Sequence, residues 1–203
     1  MSELPVVDPP FEDTGTAARV EGILLAAGTS DRYGDRNKLL ATHDGDPLVR
    51  HAIRTLATGP VEAVTVVVGH DADRVADAVS GFGAEIVHND AYATGQASSV
   101  RTGVRAIRDR ADAVVVALGD MPFVAPSTIG TLVDAYAAGV GDALAAACEG
   151  RRGNPVLFGR RFFDALVDVA GDVGGREILL KHGRLIETAD PGVRRDVDVP
   201  SDL

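Results

Sequence analysis

An apolar run, Val20 to Ala27, empties into the loop Gly28-Thr29-Ser30-Asp31-Arg32-Tyr33-Gly34-Asp35-Arg36-Asn37-Lys38. The run is short enough for one buried strand. A strand that opens into a small, polar, basic loop is how an α/β protein builds a nucleotide site, because ligands sit beyond the carboxyl ends of parallel strands. Ala26, Ala27 and Gly28 carry little side chain, so a base or ribose can lie against the main chain. Gly28 and Gly34 permit backbone angles that a Cβ disfavours. Arg32 offers a forked donor and Lys38 a point charge, both suited to phosphate oxygens. The loop holds neither a Walker pattern nor the dinucleotide Gly-x-Gly-x-x-Gly. On composition alone, an ordinary turn with solvated charges reads equally well.

Downstream, strand-like runs alternate with helical spacing. Pro47 opens a helix bearing Leu48, Ile53 and Leu56, which Gly59-Pro60 stops. Ala63 to Val68 is β-branched and reads as a buried strand. A helix over Asp71 to Val79 and a short strand over Ala84 to Val87 follow. The polar loop Tyr92 to Ser99 runs into a helix carrying Val100, Val104 and Ile107. Ala113 to Leu118 is the most apolar strand and the expected centre of the sheet. Pro126 opens another helix, Ala143 to Cys148 is a strand, and Glu149 to Phe158 reads as a turn and then a strand. Short helices are expected over Phe162 to Val169 and Gly175 to Lys181, and a last strand or extended arm over Val193 to Val199. The alternation predicts one α/β domain over residues 19–203, with a mainly parallel sheet covered on both faces, behind a flexible leader over residues 1–18.

The chain has 203 residues, which suits a single domain with a full core. Its net charge of −10 disfavours a nonspecific nucleic-acid binder. No apolar run reaches the ~20 residues of a membrane span. The Pro- and acid-rich start lacks the character of a signal peptide. A cytoplasmic location, away from membranes, is therefore expected. The acidity fits either a salty cytoplasm or a GC-rich genome. A single cysteine, Cys148, excludes an internal disulfide and reads as a buried, inert thiol. The histidines show no zinc spacing.

Asp120 follows directly on the most apolar strand, so it is expected at the carboxyl edge of the sheet. There it either holds Mg²⁺ or caps a turn. Alternation in an extended segment puts Asp196 and Asp198 on one face, as a second carboxylate or as an acidic surface tail. Ser98 reads as a helix N-cap, His70 as a surface loop residue or a ligand contact, and Arg176 as an anion binder or a salt-bridge partner.

Leu25-Ala26-Ala27-Gly28-x-Ser30-x-Arg32-x-Gly34-x-x-x-Lys38 resembles the signature of the MobA-like nucleotidyltransferases, and within them the molybdenum cofactor cytidylyltransferase branch. The usual form is Leu-Ala-Ala-Gly-x-Ser-x-Arg-Met-Gly followed by Lys. Here Tyr33 stands for Met and the spacing before Lys38 is longer. Gly119-Asp120-Met121-Pro122 matches the family's Gly-Asp-Met-Pro, whose Asp binds the metal. Asp196-Val197-Asp198-Val199-Pro200-Ser201-Asp202 is similar to its closing Asp-Ile-Asp-Thr-Pro-Glu-Asp. Asn89, Gly95, Gln96, Ser98 and Ser99 match Asn-x-x-(Tyr/Trp)-x-x-Gly-x-x-x-Ser. Gly69 and His70 stand where the family contacts the base. Gly153-Asn154-Pro155-Val156 resembles the acceptor-facing Gly-(His/Asn)-Pro-Val, and Asp172-Val173-Gly174-Gly175-Arg176 resembles Asp-x-Gly-Ala-Arg.

The resemblance implies a Rossmann-like fold of the nucleotide-diphospho-sugar transferase type. It implies Arg32, Lys38 and Asp120 as catalytic residues. Leu25, Ala26, Ala27, Gly28, Arg32, Lys38, Gly69, His70, Asn89, Gly95 and Ser99 would bind the nucleotide. Asp120 and Asp198 would hold Mg²⁺, with Mn²⁺ as an alternative. Asn154, Pro155 and Arg176 would bind the acceptor. The implied reaction moves CMP from CTP to the phosphate of molybdenum-bearing molybdopterin, with a molybdoenzyme or its chaperone as partner. The alternatives are GTP with the same acceptor, a sugar or alcohol phosphate as acceptor, and a nucleotide-binding assembly partner without turnover.

Overall fold

The computed structural model describes residues 4–12, 18–30, 33, 37–168 and 175–203. Its strands are β1 (Val6–Val7), β2 (Val20–Ala26), β3 (Thr42–His43), β4 (Asp46–Pro47), β5 (Val64–Val68), β6 (Glu85–His88), β7 (Ala113–Leu118), β8 (Ala143–Cys148), β9 (Arg151–Gly159) and β10 (Arg184–Glu187). Its α-helices are α1 (Leu48–Ala57), α2 (Ala72–Ala78), α3 (Gln96–Ile107), α4 (Pro126–Ala137), α5 (Phe163–Asp168) and α6 (Arg176–His182).

The main sheet has eight strands in the order β1-β10-β8-β9-β7-β2-β5-β6. All neighbours are parallel except β9, which runs against both β7 and β8. β2 is buried along its whole length, as expected of a strand covered on both faces. Alternation along it divides the core. Leu24 and Ala26 join Val49, Ile53 and Leu56 of α1 and Ile129 and Leu132 of α4 on one face. Ile23, Leu25 and Ala27 join Val100, Val104 and Ile107 of α3 with Leu166 and Leu179 on the other. The result is the three-layer arrangement that the alternation predicts.

Chain order reverses around β2. From β2 the chain runs outward through β5 to β6, then crosses to β7 on the opposite side. Such a reversal leaves a crevice beyond the carboxyl ends of the two central strands. The loop after β2 and Asp120 after β7 both open onto it.

Four local features differ from the sequence reading. Val6–Val7 forms an edge strand beside β10, so part of the expected leader joins the sheet. Pro47 closes β4 and stands as the cap of α1, not inside its first turn. β9 is antiparallel because a tight hairpin precedes it. Glu149 and Gly150 both take positive φ, 55° and 67°, which matches the twist of the flanking strands. The Glu187 carboxylate accepts both turn amides, at 3.0 and 2.9 Å. Arg184–Glu187 forms β10 where the sequence reading placed no element, while beyond a 3-10 turn over Pro191–Arg194 the final segment is the extended arm given as the alternative to a strand.

Candidate functional site

The loop after β2 folds back on itself through Ser30. Ser30 has φ 61°, and its hydroxyl accepts from Lys38 N at 3.1 Å and meets Asn37 Oδ1 at 3.3 Å. The Asn37 side chain accepts from Leu39 N at 3.0 Å and so caps the 3-10 turn Lys38–Leu40. Leu39 is buried and anchors that turn. Among the described residues of this loop Ser30 is the left-handed one, and Gly28 lacks a positive φ. Arg32 and Gly34 lie outside the described residues.

Lys38 reaches from this turn to the two acids. Its Nζ lies 2.7 Å from Asp120 Oδ2 and 2.8 Å from Asp198 Oδ1. Asp120 is carried by β7, whose continuation stays beside β2 through Gly119 N to Leu25 O at 2.9 Å. Asp198 arrives on the terminal arm. Val197 is fully buried, and its N–H donates to Asp120 O at 2.9 Å. Asp202 then accepts from Asp198 N at 2.8 Å and Val199 N at 2.9 Å, which fixes the arm's bend. Asp196 and Asp198 flank the buried Val197, as alternation requires.

Burial is the largest influence on both Asp120 and Lys38. Burial pushes the Asp120 carboxyl above its usual range, outweighing the adjacent ammonium, and the charge of Asp196 adds to the rise. Burial works against the Lys38 charge, yet Asp120 and Asp198 together hold its pKa above the ordinary value. Asp120 Oδ1 is buried with no hydrogen-bond partner among the described residues. An unpartnered buried carboxylate oxygen is costly unless a cation or donor completes it.

Lys38 and Asp120 line a cleft of about 490 Å³, whereas Asp198 joins it through its bond to Lys38 and is not part of the wall. Of the expected nucleotide residues, Leu25, Ala27, Gly28, Lys38, Gly95 and Ser99 line it, with Asp120. Ala26 points into the core on the opposite face of β2. Asn89 sits buried behind the wall and donates to Ser98 Oγ at 2.8 Å and Ser99 Oγ at 2.9 Å. Its role is to hold Ser99 toward the cleft. Ser98 is no N-cap: Gly95 caps α3 without any side-chain bond, and the Ser98 hydroxyl donates to Ala91 O and Gly95 O.

Tyr92 and Gln96, which lie within the matched stretch but were not among the expected nucleotide residues, also line the cleft. The signal for Tyr92 was its aromatic position in the stretch begun by Asn89. Gly69, with His70 partly exposed beside it, stands behind Tyr92. A Cβ on Gly69 would meet Tyr92 Cβ at 2.6 Å and Ala27 Cβ at 2.9 Å. Gly69→Ala therefore forces Tyr92 outward. We expect weaker nucleotide binding by equilibrium titration and a stability loss of about 1–3 kcal/mol by thermal melting.

A second pocket of about 260 Å³ adjoins the cleft and shares Leu25, Gln96 and Leu118 with it. Asn154 of β9 and Arg176 of α6 line it, so two of the three expected acceptor residues meet there. Pro155 does not. It faces the other side of β9, against a small void bounded by Ala52, Thr55 and Met121. Asp172, Val173 and Gly174 lie outside the described residues.

A doubly covered sheet, a crevice at its order reversal, and a cation and two acids converging there define a Rossmann-like protein of the nucleotide-diphospho-sugar transferase type. The family model described as the MobA-like NTP transferase domain matches residues 22–185, and the chain belongs to that family of nucleotidyltransferases. It is 30% identical over 188 residues to nicotine blue oxidoreductase of Paenarthrobacter nicotinovorans, covering 88% of this chain and 92% of that protein. It is 36% identical over 121 residues to the bifunctional protein GlmU of Agrobacterium fabrum, covering 58% of this chain but only 26% of GlmU. The crystal structure of Rv0371c from Mycobacterium tuberculosis superposes with a TM-score of 0.81 at 27% identity, over 92% of this chain and 96% of that one. A structure of Rv0371C in complex with manganese superposes with a TM-score of 0.77 at 24% identity, over 91% of this chain and 95% of that one.

Proposed function

We propose that this protein is a metal-dependent nucleotidyltransferase that moves CMP from CTP to the phosphate of molybdenum-bearing molybdopterin and releases pyrophosphate. The observation that carries the reading is that Lys38, in the wall of the cleft with Asp120, bridges Asp120 at 2.7 Å and Asp198 at 2.8 Å, beside a second pocket. An acceptor phosphate oxygen attacks the α-phosphorus, and the bond from that phosphorus to the β-phosphate oxygen breaks. A phosphate monoester is largely ionised near neutrality, so no general base is needed.

The donor set fits a hard divalent cation. Asp120 and Asp198 present oxygen ligands, and Asp120 Oδ1 has no other partner. Two carboxylates plus substrate phosphates are a usual Mg²⁺ arrangement, and no cluster of three ligating side chains exists among the described residues. Bound there, Mg²⁺ or Mn²⁺ supplies charge neutralisation on the phosphates. Lys38, with Arg32, stabilises charge on the departing pyrophosphate. Ser99, oriented by Asn89, and the bare backbone at Ala27 and Gly28 receive the nucleoside.

CTP is favoured because Ala27 stands where the guanylyltransferase branch usually has Gly. A methyl in a pocket discriminates by only about 1–3 kcal/mol, so GTP is the competing donor. A molybdoenzyme or its chaperone is the natural receiver of the product. Among the described residues no helix is long and apolar enough to cross a membrane.

A redox reading has one observation in its favour, the name of the nearly full-length relative from Paenarthrobacter. One experiment separates the readings. The protein is incubated with each NTP, molybdopterin and Mg²⁺, and products are identified by mass. A cytidylylated pterin with pyrophosphate supports the transferase. A parallel incubation adds a nicotinamide cofactor as electron donor or acceptor; intact nucleotide with the pterin and that cofactor changed in oxidation state together supports the redox reading and ends the proposed one.

A further inference from the structure

Resting on the reading of the second pocket as the acceptor's, we infer that Arg152 and Arg176 together form an anion clamp that selects a phosphomonoester dianion on an apolar body. Arg176 was a candidate from its motif, whereas Arg152 belongs to no motif quoted above. Arg152 stands on β9, two residues before Asn154, so alternation puts both side chains on one face of the sheet. Arg176 opens α6 and lines the same pocket.

Two features of the pocket support the assignment. First, neither guanidinium has a carboxylate partner among the described residues, although the chain carries 30 acids against 20 lysines and arginines. Like charges brought to one pocket repel, and that cost is recovered when an anion lies between them. The strain is visible: burial, then the charge of Arg176, pull the Arg152 pKa below its ordinary value. Second, the floor is apolar. Val100, Val156, Phe158 and Leu179 make it. The Phe158 ring reaches its place against Gly175, where a Cβ would collide with its tip. The family pattern places Ala at that position, so the glycine here is coupled to the ring beneath it. An apolar floor under a doubly cationic rim fits a ligand with a hydrophobic body and a dianionic head. A neutral alcohol or sugar leaves the two charges uncompensated.

The test uses 1-naphthyl phosphate and 1-naphthol, titrated into the full chain and followed by calorimetry, with and without excess CTP. The phosphate should bind at least about tenfold more tightly than the alcohol, because only the phosphate forms charge-assisted bonds to the two guanidinium groups. CTP should not displace it. Arg152→Gln and Arg176→Gln should each lower its affinity about tenfold with melting temperatures unchanged, and Arg152→Lys should lose less. Equal binding of phosphate and alcohol, no phosphate binding, displacement by CTP, or an unchanged affinity in Arg152→Gln would each overturn the clamp. Because the readout is binding and not turnover, the clamp can stand while the transfer reaction fails, and the reverse.

Discussion

Asp120→Asn should abolish nucleotidyl transfer while leaving the fold intact. The amide keeps the shape of the carboxylate but cannot hold a divalent cation with comparable strength. A bound metal supplies several kcal/mol of charge stabilisation, and each ~1.4 kcal/mol is tenfold in rate, so kcat/KM should fall by at least about 10²-fold. The amide oxygen can still accept from the Lys38 ammonium, which lies 2.7 Å from Asp120 Oδ2, so the variant is expected to fold. The check is pyrophosphate release with a melting curve on the same preparation. Wild-type turnover in a folded variant would remove this carboxylate from the reaction.

Lys38→Met should slow turnover and yet tighten metal binding by the nucleotide-free protein. The ammonium bridges the two carboxylates proposed as metal ligands, so it opposes a cation at the same oxygens. A unit charge ~4 Å away is worth ~4 kcal/mol at an effective dielectric of ~20. Screening at the open side of the cleft leaves about a third of that, a gain of about tenfold in Mn²⁺ affinity. Calorimetric titration with Mn²⁺ alone reads this directly, and weaker binding by the variant would refute it. The pH dependence has a definite sign. The folded pKa of Lys38 lies above its ordinary 10.5, so its stabilising contribution is complete below 10.5 and is lost as pH rises through the folded value. The stability difference between wild type and Lys38→Met should therefore fall in strong alkali as Lys38 loses its proton, and fall again in acid as Asp120 and Asp198 gain theirs.

Much of the layered fold was legible because β2, β5 and β7 are nearly unbroken β-branched or aliphatic runs, and the helices keep a four-and-three spacing. Asp120 was legible for the same reason: a carboxylate directly after the most apolar strand has one place to go. What could not be read was long-range pairing. Nothing local in Val6–Val7 announces that two residues will add to a sheet edge formed by residues 184–187. The direction of β9 depends on a two-residue turn whose positive φ at Glu149 is stabilised by Glu187, far along the chain. Tyr92 and Arg152 escaped for a different reason. Each acquires its meaning from a neighbour across the fold, Gly69 in one case and Arg176 in the other.

The one strand that runs against its neighbours has a consequence for how specificity can change. The proposed nucleotide contacts come from loops after β2 and β6, which can lengthen or shorten without disturbing the sheet. Arg152 and Asn154 instead project from the start of a strand whose later residues, 156–158, are hydrogen-bonded on both sides. A shift of register there would turn every side chain to the opposite face. New acceptors must then be reached by exchanging single side chains on a fixed frame, whereas new donors can be reached by remodelling the backbone.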